Sequence, residues 1–131
     1  MPKIHKQEQS RFLVTINTNK TFLDIDINYF KAVIAQFYDY IEYHIKYKDP
    51  HRANESFIDH ISMKSVVGIG EEFHRVHCHL FITITHRTKI HLDQEKIRTF
   101  FQNQLGLDKI HLNIKYANAS DFYVERYLMN Q

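Results

Sequence analysis

Apolar and polar residues alternate in three stretches of this chain, which predicts β-strands. In two others they recur at steps of three and four, which predicts helices. Residues 11–17 are rich in strand formers, with Phe12, Val14 and Ile16 on one face and Leu13, Thr15 and Asn17 on the other. Residues 76–85 form the clearest strand, with Cys78, Leu80, Ile82 and Ile84 on its apolar face. Residues 110–116 alternate strictly, Ile110, Leu112, Ile114 and Tyr116 against His111, Asn113 and Lys115. Within residues 28–47, Phe30, Ile34, Phe37, Ile41 and Ile45 form a helical stripe that reads as core packing, and Asp24 and Asp26 are candidate N-caps. Asp93 can cap a second helix with Ile97, Phe100, Phe101 and Leu105 inward, and Gly106 stops it.

The remaining segments connect these elements. Residues 48–54 are a loop around Pro50, and residues 57–72 look extended. His74 and Arg75 then lie between two extended stretches, so a hairpin with a two-residue turn is the simplest link. Ser120 caps a final helix over residues 121–129. Residues 1–10 are polar and expected to be flexible, leaving residues 11–131 as one domain. The order strand, helix, strand, strand, helix, strand, helix predicts an α+β fold, one central antiparallel sheet with helices packed on one face.

Composition narrows the function classes. With 131 residues, 44% of them hydrophobic, and 10 Phe and 8 Tyr, the chain can bury a core and is not a disordered tail. No apolar run reaches the roughly 20 residues that cross a bilayer. The start, Met1 to Lys6, lacks the apolar segment of a signal peptide. Cys78 is the one cysteine, which excludes an internal disulfide and a cysteine-based zinc cluster and makes an intracellular setting the expectation. A net charge of +2 does not by itself announce a nucleic-acid binder. Ten histidines, against no tryptophan, are the unusual count.

Two of those histidines are arranged. His77 and His79 lie at i and i+2 on the clearest strand, so both project from its non-apolar face, ~6.6 Å apart along the chain. Two imidazoles so placed can converge on one cation. With a two-residue turn, Glu72 would pair with His77 and share its face, while a longer turn would favour Glu71. Two imidazoles and a carboxylate leave positions open for water or substrate and suit Mn²⁺, Mg²⁺ or Zn²⁺. Tyr123 and Tyr127 lie one helical turn apart in the last predicted helix.

In this order the residues resemble the HUH endonucleases, especially the Rep-type initiators of rolling-circle replication. The match consists of Val14-Thr15-Ile16-Asn17 in the first strand, Gly70-Glu71-Glu72 before the His77-Cys78-His79 strand, and Tyr127-Leu128-Met129-Asn130 for the tyrosine helix. It spans residues 11–130. Two departures stand out. Asn130 occupies the place of the family's usual lysine, for which Lys115 or Arg126 would have to substitute, and the spacer from Glu72 to His77 is short.

The resemblance implies a ferredoxin-like or RRM-like sheet with a C-terminal tyrosine helix. It implies a divalent ion, Mn²⁺ or Mg²⁺, on His77, His79 and Glu72, and Tyr127 as the nucleophile toward single-stranded DNA. The product would be a 5′-phosphotyrosine link and a free 3′-OH at an origin stem-loop. Thr15 and Asn17, on the non-core face, are candidate DNA contacts. The expected setting is the host nucleus or cytoplasm, at the site of DNA replication, with a helicase domain or host replication proteins as partners. The chain's end soon after Tyr127 suggests a nuclease domain excised from a longer Rep. A single-tyrosine HUH transposase and a non-catalytic single-stranded nucleic-acid-binding sheet are the alternatives; in the latter Phe81, on the histidine face, would stack bases.

Overall fold

The computed structural model describes residues 7–46, 58–87 and 90–117. Six elements follow in order: β1 (Glu8–Thr21), α1 (Ile27–Lys46), β2 (Ile58–Ile69), β3 (Arg75–His86), α2 (Gln94–Leu105) and β4 (His111–Tyr116). The strands form one antiparallel sheet in the order β2-β3-β1-β4. The α+β architecture expected from the alternation is therefore present. The expected tyrosine helix, with Tyr123, Tyr127 and Asn130, lies outside the described residues, as does the loop around Pro50.

The helices form where their caps and stripes predict. The Asp26 carboxylate accepts the backbone N–H groups of Asn28 at 2.8 Å and Tyr29 at 3.1 Å, satisfying donors that the first turn of α1 leaves open. Asp93 does the same for Lys96 at 3.1 Å, and Gly106 closes α2 with φ 66°, a conformation glycine adopts without steric cost. Phe30, Val33, Ile34, Phe37 and Ile41 of α1 and Ile97 and Phe101 of α2 are buried. They join the apolar face of the sheet, including Phe12, Val14, Ile16, Cys78, Leu80, Ile82 and Ile84, in one core cluster. The Phe37 and Phe101 rings meet at 4.9 Å between centroids, in a tilted arrangement. Phe100 and Leu105 pack only partly against this core.

Two boundaries differ from the sequence reading. β1 begins at Glu8, so Glu8, Gln9 and Ser10, expected to be flexible, pair with His86, Thr85 and Ile84. Their pairing is long-range, and local polarity does not reveal it. The β2–β3 connection is five residues long, 70–74, in place of the expected two-residue turn. The Gly70 N–H donates to the Arg75 carbonyl and the His74 N–H to the Gly70 carbonyl, both at 2.9 Å, while His74 takes φ 53°. A left-handed residue at the end of the turn lets β3 reverse direction without a two-residue Asn-Gly type link.

Among the described residues, no helix is long and apolar enough to cross a membrane.

Candidate metal and nucleic-acid site

The alternation that turns Cys78 and Leu80 into the core turns His77 and His79 out of the opposite face. Strand order then decides their neighbours. One row across the sheet reads Gly68, His77, Asn17, His111, and the next reads Val66, His79, Thr15, Asn113. Thr15 and Asn17 thus stand directly beside the two histidines, on the face expected of them. His111 and Asn113 complete the rows from β4. Alternation alone puts them on a polar strand face without neighbours, because which strand β4 joins is a long-range fact.

The two imidazoles are oriented by their Nδ1 atoms. His77 Nδ1 lies 3.4 Å from the Arg75 carbonyl oxygen, which can only accept, so the contact calls for a proton on Nδ1 and leaves the lone pair on Nε2. His79 Nδ1 lies 3.3 Å from Thr15 Oγ1, and the hydroxyl can match either tautomer. The ring centroids are 5.5 Å apart at 75°, edge to face. Burial, and then the neighbouring His77 ring, lowers the proton affinity of His79 below the ordinary histidine value. A half-buried ring kept neutral is the form that can bind a cation, and Nδ1 anchoring with Nε2 available is how ligating histidines are usually held. Each ring is therefore of a donor type that suits a divalent ion.

Glu72 is placed differently from expectation. The register sets Gly68 opposite His77, and Glu72 lies with Glu71 in the exposed turn. The longer connection moves both carboxylates off the strand, so neither pairs with the histidine strand. Among the described residues, no group of three or more His, Cys, Asp or Glu side chains is gathered closely enough to hold a metal ion. Cys78 is buried on the core face, and its burial raises the thiol well above the usual range, so it takes no part.

The rest of this face has a consistent charge. Arg75 on β3, Arg11 on β1, Lys64 on β2 and Lys115 on β4 occupy positions in the same alternation as the histidines, and no paired position on this face carries Asp or Glu. The strand carboxylates among the described residues, Glu8 and Asp59, sit at the far end of the sheet near His86 and Arg87. Phe81 and Leu13 lie side by side between Lys64 and Lys115. Phe81 is only 3% exposed, and it lies outside the helix-side core cluster. At the histidine end, Phe73 in the β2–β3 turn is 61% exposed, with the Arg75 guanidinium 5.1 Å from its ring centroid.

No family model, no curated protein and no solved structure matches the chain.

Proposed function

We propose that the protein nicks and joins single-stranded DNA in a metal-dependent reaction through a tyrosine-linked intermediate, as Rep-type HUH endonucleases do. The observation that carries this reading is the histidine pair, Nδ1 atoms anchored, on the central strand β3 of a sheet face that bears four cations and no carboxylate at its paired positions. The β-α-β-β-α-β order, with β1 and β3 in the middle of the sheet, also suits the ferredoxin-like or RRM-like arrangement that the resemblance implies.

In this proposal His77 and His79 would hold Mn²⁺ or Mg²⁺, with Glu72 of the turn as the candidate third ligand. When bound, the ion would supply Lewis-acid polarisation of the scissile phosphate. Arg11, Lys64 and Lys115 offset phosphate charge along the strand, and Thr15 and Asn17 offer hydrogen bonds beside the histidines. The phenolic oxygen of Tyr127 attacks phosphorus and loses its proton. The bond to the 3′ oxygen breaks, and that oxygen gains a proton. One phosphodiester replaces another, so the step needs no energy source and runs backward to join ends. A phenol with an ordinary pKa of about 10 needs activation near neutrality. The proposed setting is the host nucleus or cytoplasm, with an origin stem-loop as substrate and a helicase or host replication proteins as partners.

Incubation with single-stranded stem-loop oligonucleotides and Mn²⁺, followed by a denaturing gel, tests this. A slow-migrating protein–DNA adduct is expected, abolished by EDTA, by Tyr127→Phe and by His77→Ala. Loss in Tyr123→Phe with persistence in Tyr127→Phe would move the nucleophile to Tyr123. A second reading, a non-catalytic single-stranded nucleic-acid-binding sheet, is favoured by the displacement of Glu72 into the turn while the cations remain on the face; the base-stacking role expected of Phe81 is not available to it, because its ring is buried. Binding of the same oligonucleotides without any adduct would select it.

A further inference from the structure

Gly68 lies inside β2, the last of the alternating β2 positions, His60, Ser62, Lys64, Val66 and Gly68, that share the histidine face. A glycine there weakens a strand, so its presence calls for a local reason. Backbone conformation is not that reason: Gly106 alone among the described glycines has positive φ. Space is. A Cβ added to Gly68 would meet His77 Nε2 at 3.0 Å and Cε1 at 3.2 Å, tighter than ordinary contacts. At Gly70, two residues on, an added Cβ would meet only the Arg75 backbone at 3.8 Å and 3.9 Å.

We propose that Gly68 is a positioning residue for His77: the missing side chain is the seat in which the imidazole lies, and it sets where Nε2 points. The Arg75 carbonyl holds Nδ1 from one side, and the bare β2 backbone receives the Nε2 edge from the other. Any side chain at position 68 turns the ring out of this orientation and moves Nε2 from its place over β2. The inference deepens the metal reading above and rests on it for its consequence, though not for the geometry of the seat.

The test is Gly68→Ala in the full chain, with two readouts. The first is the ring ¹⁵N and ¹H resonances of His77 and His79 in the metal-free protein. The second is Mn²⁺ affinity by titration calorimetry. The expected result is a displaced His77 signal, an unshifted His79 signal and at least a tenfold loss of Mn²⁺ affinity, with no fall in melting temperature. Val66→Ala, at the neighbouring β2 position opposite His79, leaves the His77 resonances in place. In a His77→Ala background, Gly68→Ala leaves the His79 resonances and the melting temperature where His77→Ala alone puts them, because the ring it would displace is gone. Wild-type His77 resonances and affinity in Gly68→Ala overturn the proposal. If the single variant loses its fold, the Gly68→Ala/His77→Ala pair recovers it, and failure to recover also overturns the seat. If the wild-type protein takes up no Mn²⁺, the metal reading fails, and the His77 resonances alone still decide the role of Gly68.

Discussion

The two faces of this sheet are made from the same strands and have opposite character. On one, Cys78, Leu80 and Ile82 meet Phe30, Phe37 and Phe101 in a closed apolar core. On the other, His77, His79, Thr15 and Asn17 are half-buried or exposed polar groups beside Arg11, Lys64 and Lys115. Successive residues of β3 belong to different faces, so neighbours in sequence serve separate ends. Stability should respond to one parity and chemistry to the other.

The largest expected effect is on the closed face. Phe37→Ala removes a fully buried ring and should cost about 3–5 kcal/mol in urea unfolding, the usual range for such truncations. The proposed nicking, per folded molecule, should be unchanged. A cost below about 1 kcal/mol would end the claim that this face holds the fold. On the open face, His77→Ala and His79→Ala should each change stability by less than about 1 kcal/mol, as for most substitutions outside a packed core. Both should abolish Mn²⁺ uptake in calorimetry. Lys64→Ala and Lys115→Ala come next. Each should weaken oligonucleotide binding across sequences and reduce the logarithmic salt slope by about one unit or somewhat less. A slope that does not move takes the strand's path off these lysines.

The smallest effect concerns pH. The folded state lowers the proton affinity of His79, so the unfolded chain binds the proton more tightly. The stability this contributes is complete above the unfolded value of about 6.5 and is lost as pH falls through the lower folded value. Melting temperature should therefore drop on acidification below neutrality, and less so in His79→Asn. An equal drop in the variant would assign the dependence to other histidines.

What was legible in the sequence was whatever depends on near neighbours. Alternation over residues 76–85 put His77, His79 and Phe81 on one face and Cys78 on the other, and Asp26, Asp93 and Gly106 marked helix ends, because caps and pleats act within a few residues. The β2–β3 connection was not legible. Its length depends on His74 adopting φ 53° and on two backbone hydrogen bonds at Gly70, which no period in the sequence encodes. That connection decided the fate of Glu72, whose expected pairing with His77 rested on turn length alone. His111, Asn113 and Gly68 gain their places from strand order and register, facts that exist only once distant segments have met.

The distance between those segments also sets an order of events. His77 and Gly68 meet across a five-residue connection, whereas His79 and Thr15 are 64 residues apart. Loop-closure entropy grows by about 0.6 kcal/mol per doubling of length, so the second meeting costs about 2 kcal/mol more than the first. The hairpin should therefore form early, with the His77 ring already lying over Gly68, and β1 should dock later to tether His79. Pulse-labelled hydrogen exchange during refolding would show it as protection in β2 and β3 before β1 and β4, and the reverse order would refute it. One half of the histidine pair would then be inherited from a local hairpin, and the other half awarded only to chains that have closed their whole sheet.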